Sequence, residues 1–168
     1  MRHFSIPGFL RSDALAREEI ENLIYNGKYF VLHEQRQSGK TSYLLELRDY
    51  LNSKREYAAL YINVETAQVN WSDFVRGIGI ILDEISEKCK LTFGTDLHVG
   101  QYVAHLQAGK QLEGALQHLS ITLQRQGRKF VLLLDEIDSL HGDTLLSVLR
   151  YETMKFLPPP TTITTSLL

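Results

Sequence analysis

The chain has little that would tie it to secretion, a membrane or a polyanion. It carries one cysteine, Cys89, so no intramolecular disulfide can form, and the chain fits a reducing compartment. Cys89 reads as a small apolar contact and not as a nucleophile. A formal net charge of -2 gives no overall basic footprint, which makes nucleic acid an improbable partner. No apolar run is long enough to cross a bilayer. The opening M-R-H-F-S lacks the apolar core of a signal peptide, so the expected location is cytoplasmic. There are no internal repeats. The six histidines, His3, His33, His98, His105, His118 and His141, never fall at metal-ligand spacing with cysteine or acid, which favours structural or surface roles. His33, directly after an apolar run, is the one placed to touch a ligand.

What is present is the composition of an ordinary globular domain. The 168 residues are 43% hydrophobic and 23% charged, enough for one real core. Strands and helices alternate along it. Ser12 and Asp13 can cap a first helix carrying Leu15, Ile20, Leu23 and Ile24, which Asn26-Gly27 stops. Residues 28–33 form a short strand, apolar enough to be buried on both faces. The helix over 39–52 has an inward stripe of Leu44, Leu47 and Leu51. A second strand is expected over 57–64 and a helix over 71–90, the latter weakened by Gly77 and Gly79 at about 1 kcal/mol each. Trp71 and Phe74 would anchor that helix on the sheet. Residues 93–100 read as a turn-rich connection, 110–126 as a helix ended by Gly127, 129–134 as a third strand and 143–151 as a short helix. Lys54-Arg55 and residues 125–129 read as small solvated basic clusters.

This alternation predicts an α/β three-layer sandwich around a mostly parallel sheet, with all strand C-termini along one edge. Two motifs fall on that edge. Residues 34–41 read E-Q-R-Q-S-G-K-T after the apolar run Tyr29-Phe30-Val31-Leu32, a phosphate-binding loop whose first glycine position holds Glu34. The N–H groups of Gln37, Ser38, Gly39, Lys40, Thr41 and Ser42 can cradle phosphate at the start of a helix. Lys40 can reach the outer phosphates and the Thr41 hydroxyl can bind Mg²⁺. The third strand ends in Asp135-Glu136. Asp135 would hold Mg²⁺, directly or through water, and Glu136 would orient an attacking water. Either acid could also be an ordinary cap at a strand-to-helix junction. It is the joint occurrence with Gly39-Lys40-Thr41, in this order, that favours a nucleotide site.

Y-F-V-L-H-x-x-R-Q-S-G-K-T-S with V-L-L-L-D-E-I-D-S-L resembles the Walker A and Walker B segments of P-loop ATPases with an additional strand and a catalytic glutamate. Among these the chain is most similar to AAA-type and archaeal-type ATPase-like proteins, over about 28–150. The resemblance implies a P-loop NTPase fold, binding of ATP and Mg²⁺, and ATP hydrolysis. It makes Asn63, at the end of the second strand, a candidate switch for the glutamate; otherwise Asn63 simply finishes a strand. It divides the chain into an N-terminal segment and helix (1–27), an ATPase core (28–150) and an atypical tail (151–168).

Two departures stand out. Glu34 replaces glycine, and if it faces the phosphates a like charge at ~4 Å costs on the order of 1–4 kcal/mol. Arg36 can neutralise it, so binding is expected to survive, weakened. The tail is the second. After Arg150 come Pro158-Pro159-Pro160 and T-T-I-T-T-S-L-L, with none of the further strands, polar sensor or helical lid of the resembled proteins, as in a truncated or frame-shifted chain. In that fold the strand after Walker B lies between the Walker A and Walker B strands. Residues 161–168 are therefore expected to fill that slot poorly, and the outer edge of the Walker A strand to stay unpaired, a liability for aggregation or dimerisation. Arg150 is the only arginine after Asp135, so an arginine finger would have to come from a partner or a second copy. Slow ATP turnover is then expected. The rivals are a nucleotide-binding switch or scaffold without hydrolysis, and a non-functional fragment of a longer ATPase.

Overall fold

Apolar strands separated by amphipathic helices assemble here into a single parallel sheet. The computed structural model describes residues 2–5, 14–27, 30–33, 39–65, 74–94, 97–137 and 161–166. In chain order the elements are β1 (Arg2–Ser5), α1 (Ala14–Tyr25), β2 (Phe30–His33), α2 (Lys40–Ser53), β3 (Tyr57–Asn63), α3 (Phe74–Phe93), α4 (Val99–Val103), α5 (Ala108–Arg125), β4 (Lys129–Asp135) and β5 (Thr161–Ser166). The strands lie in the order β1-β2-β5-β4-β3, and every adjacent pair is parallel. No helix among the described residues is long and apolar enough to cross a membrane. The expected helix over 143–151, Trp71, the proline run and His141 lie outside the described residues.

Period-two alternation sends the strand side chains into two cores. Ala58, Leu60 and Ile62 of β3 meet Leu132 and Leu134 of β4 on the face covered by α3 and α5. Tyr57 and Ala59 meet Val131 and Leu133 on the opposite face, under α1 and α2. There Leu44, Leu47 and Leu51 supply the expected stripe, each no more than 3% exposed. Each such leucine contributes about 1.5–3 kcal/mol through burial. Cys89 is 1% exposed within the α3/α5 core, as a small apolar contact should be. Gly27 and Gly127 end their helices at φ of 60 and 75, where a Cβ would be strained.

The tail reaches the central slot. β5 pairs with β2 on one side and β4 on the other, but the ladders are staggered. Thr161 to Thr164 face β4 while Ile163 to Ser166 face β2, so only Ile163 and Thr164 are paired on both sides. The expectation of an unpaired outer edge on β2 is corrected. β1 pairs with β2 in parallel, with His3 opposite Val31 and Phe4 opposite Leu32. An open row of N–H and C=O groups beside an apolar strand favours any nearby extended segment, and four residues suffice to cover a four-residue strand.

Three further readings are corrected. Val99 and Gly100, expected at the end of a turn-rich connection over 93–100, instead begin α4 (Val99–Val103), which is entered through His98 at φ 55. The basic residues are not simply solvated. Lys54 Nζ lies 3.0 Å from Glu21 Oε2 and 4.3 Å from the Tyr50 ring centroid, joining α2 to α1. Arg128 Nε and Nη2 donate to Tyr57 O at 3.0 and 2.7 Å, and Lys129 Nζ donates to Tyr25 O at 3.2 Å while lying over its ring. Long cationic side chains lay their stems along apolar surface and spend their donors on carbonyls there. His118 is structural as expected: its Nε2 lies 2.8 Å from Leu97 O and its ring stacks on Tyr102.

Candidate functional site

The parallel sheet brings the ends of β2, β3 and β4 to one edge, and α2 starts at that edge. Gly39 precedes α2 with φ 88 and ψ 16, a conformation that needs glycine. Its carbonyl accepts the Tyr43 N–H at 2.9 Å, which opens the helix. Lys40, Thr41 and Ser42 form the first turn, where a helix supplies no intrahelical acceptor for its N–H groups, and Gly39 offers no side-chain cap. Gln37 and Ser38, with Glu34 and Arg36, lie outside the described residues. So does the side chain of His33.

The second half of the site arrives on β4. Asp135 shares the strand face of Val131 and Leu133, the face that α2 covers. It is 1% exposed, and both of its carboxylate oxygens accept hydrogen bonds. Thr41 Oγ1 donates to Oδ2 at 2.7 Å, Tyr61 Oη donates to the same oxygen at 3.0 Å, and the Glu136 N–H donates to Oδ1 at 3.0 Å. Three donors satisfy a buried carboxylate that would otherwise be costly to desolvate. The predicted pair Thr41 and Asp135 therefore meet directly, although 94 positions apart.

Glu136 is half-buried with φ 58, one of two non-glycine residues in the left-handed region among the described residues. Asp135 and Ile137, 1% and 5% exposed, pin the backbone on either side. Such a conformation costs an ordinary residue about 1–2 kcal/mol, so burial of its neighbours holds Glu136 where it would not otherwise sit.

Asn63 lies opposite Asp135 in the β3–β4 register. Its Oδ1 accepts the Glu65 N–H at 2.8 Å. The Val64 N–H donates to Asp135 O at 3.1 Å, so the two strand ends are tied together. Tyr61 was not singled out from the sequence. The available signal was parity: Tyr61 and Asn63 are two apart, hence on one face, and a parallel partner ending in Asp135 brings an acid to that face. Burial, with the Asp135 charge and hydrogen bond after it, raises the pKa of the Tyr61 hydroxyl well above its ordinary value, so it stays a donor.

A hydroxyl and a carboxylate are hard oxygen ligands suited to Mg²⁺. The Thr41 proton points at Asp135, which leaves the hydroxyl lone pairs to face a cation. The described residues contain no group of three or more His, Cys, Asp or Glu able to hold a metal. A cation here would thus take most of its ligands from phosphate and water, as Mg²⁺ does in nucleotide sites.

No protein-family model matches the chain, and no curated protein matches it. Among solved structures, the ORC2 protein of Aeropyrum pernix, solved in ADPNP–ADP complexes, superposes with a TM-score of 0.55 over 96% of this chain at 14% identity. This chain spans 42% of the length of that one. The likeness is one of fold.

Proposed function

We propose that the chain is an ATP-binding domain of the P-loop type that hydrolyses ATP slowly. The observation that carries this reading is the direct contact of Thr41 with Asp135, which unites the Gly39-Lys40-Thr41 helix start with the acid-ended strand. In this reading the N–H groups of Gln37 to Ser42 and the Lys40 ammonium hold the phosphates. Thr41 and Asp135 hold Mg²⁺, whose charge offsets that of the phosphates. Glu136, at the strained strand end, orients water and accepts its proton. The fold neighbour was solved in ADPNP–ADP complexes, which supports an adenine nucleotide as the first ligand to test.

A thermal melt with and without Mg-ATP tests the binding. Ligand at 100 times its Kd adds about 2.7 kcal/mol, or roughly 5–10 °C for a chain of this size. The shift should vanish in Lys40→Ala. No shift in the wild type would refute nucleotide binding. Single-turnover hydrolysis tests the chemistry: Glu136→Gln should slow it by about 100-fold or more. Equal background rates in both proteins would instead favour a binding switch or scaffold.

A further inference from the structure

We infer that Tyr61 is a positioning residue that sets how Asp135 meets a divalent cation: by occupying Oδ2, it makes the carboxylate address the ion through water and so favours Mg²⁺ over larger cations. The inference rests on the nucleotide-site reading above and adds to it a residue and a selectivity. A carboxylate offers about four lone-pair positions, two on each oxygen. On Oδ2 both are taken, by Thr41 at 2.7 Å and Tyr61 at 3.0 Å. Oδ2 is the oxygen beside Thr41, hence the one nearest to any ion that the Thr41 hydroxyl binds. On Oδ1 the Glu136 N–H takes one position. A metal could bind Oδ2 directly only by expelling a donor.

Tyr61 is not easily expelled. Its ring packs against the apolar cluster under α1 and α2, which fixes the phenol. Its hydroxyl proton goes to Asp135 Oδ2. Mg²⁺ dehydrates reluctantly and keeps several waters, whereas Ca²⁺ takes more direct oxygen ligands at longer range. A carboxylate whose oxygen nearest the ion is closed to direct contact suits the first.

Calorimetric titration of ATP in excess Mg²⁺ and in excess Ca²⁺ gives the test, on the full chain. In the wild type ATP should bind more tightly with Mg²⁺. Tyr61→Phe keeps the ring and frees one Oδ2 position, so the ratio of Kd with Ca²⁺ to Kd with Mg²⁺ should fall by about tenfold, the scale on which outer-shell partners tune metal sites. A merely structural tyrosine would weaken both and leave the ratio within about twofold, and that result overturns the assignment. Should Tyr61→Phe not fold, 3-fluorotyrosine placed at position 61 keeps the shape with a stronger donor. Its ratio should equal or exceed that of the wild type, and a lower ratio would overturn the assignment. Absence of ATP binding in the wild type with either ion overturns the nucleotide reading and this one together; binding with equal ratios overturns only the role of Tyr61.

Discussion

Thr41 Oγ1 donates a 2.7 Å hydrogen bond to Asp135 Oδ2, and this contact fastens the first turn of α2 to the end of β4. Thr41→Val keeps the shape and deletes the donor. The buried oxygen then loses one of its donors, so stability should fall by about 1–3 kcal/mol in urea denaturation. The Mg-ATP thermal shift should be lost with it. Thr41→Ser restores the hydroxyl and should recover both. A valine variant with wild-type stability and an intact Mg-ATP shift would show that the contact joins nothing of consequence.

Glu136 gives a prediction of opposite sign. At φ 58 its side chain costs about 1–2 kcal/mol, which glycine avoids. The extra freedom of glycine in the unfolded chain offsets part of that, leaving Glu136→Gly more stable by about 0.5–1 kcal/mol. The same change removes the carboxylate assigned to water, so ATP turnover should drop to background. A variant more stable yet inactive is the signature of strain kept for function. Loss of stability in Glu136→Gly would place the carboxylate among the structural contacts instead.

The residues that announced themselves in the sequence share one property: their signal is local. Gly39-Lys40-Thr41 and the run from Phe130 to Asp135 each declare a strand end or helix start within a few positions. Parallel topology then predicts that they meet, and Thr41 and Asp135 do. What stayed hidden depends on pairing. Arg2–Ser5 is too short for a period-two pattern to register, and becomes β1 only because β2 presents an edge. Tyr61 looks like any strand tyrosine until the register sets Asn63 opposite Asp135. Lys54 and Arg128 look like surface charge until the fold brings Glu21 and the Tyr57 carbonyl within reach. The staggered seating of Thr161–Ser166 is likewise a matter of register, although its slot between the two motif strands was expected.

Stability should fall at high pH. The Lys54 pKa is raised from 10.5 to about 12, first by its hydrogen bond to Tyr50 and then by Glu21. A pKa raised by folding contributes stability that is complete below the unfolded value and is lost as pH climbs through the folded one. The Lys54 contribution is thus present up to about 10.5 and gone beyond about 12. The Lys54 side chain is a third exposed, so screening holds its contribution below about 1 kcal/mol. Burial also raises the Tyr57 and Tyr61 hydroxyls above 10.0; the unfolded chain ionises first, and their effect runs the same way. The urea midpoint should decline from about pH 10 upward, and more shallowly in Lys54→Met between about 10.5 and 12. Parallel declines in the two proteins would remove Lys54 from this account.

The outer edge of β3 supplies the last prediction. β3 ends the sheet, so alternate backbone groups along it point away from β4. At Ala59, which is 0% exposed, those groups could not reach water. Asn52, from the last turn of α2, imitates a neighbouring strand: its Nδ2 donates to Ala59 O at 2.9 Å and its Oδ1 accepts the Ala59 N–H at 2.8 Å. One amide thereby satisfies both groups and ties α2 to the sheet a few residues before Tyr61. Asn52→Ala leaves a buried donor and a buried acceptor without this partner, and should cost about 2–4 kcal/mol in urea denaturation. Asn52→Asp keeps the acceptor and loses the amide donor, placing a carboxylate against Ala59 O, and should cost at least as much. Asn52→Gln carries the same groups one methylene too far out and should recover little. If the alanine variant unfolds within about 0.5 kcal/mol of the wild type, the edge at Ala59 has another partner and the imitation is incidental.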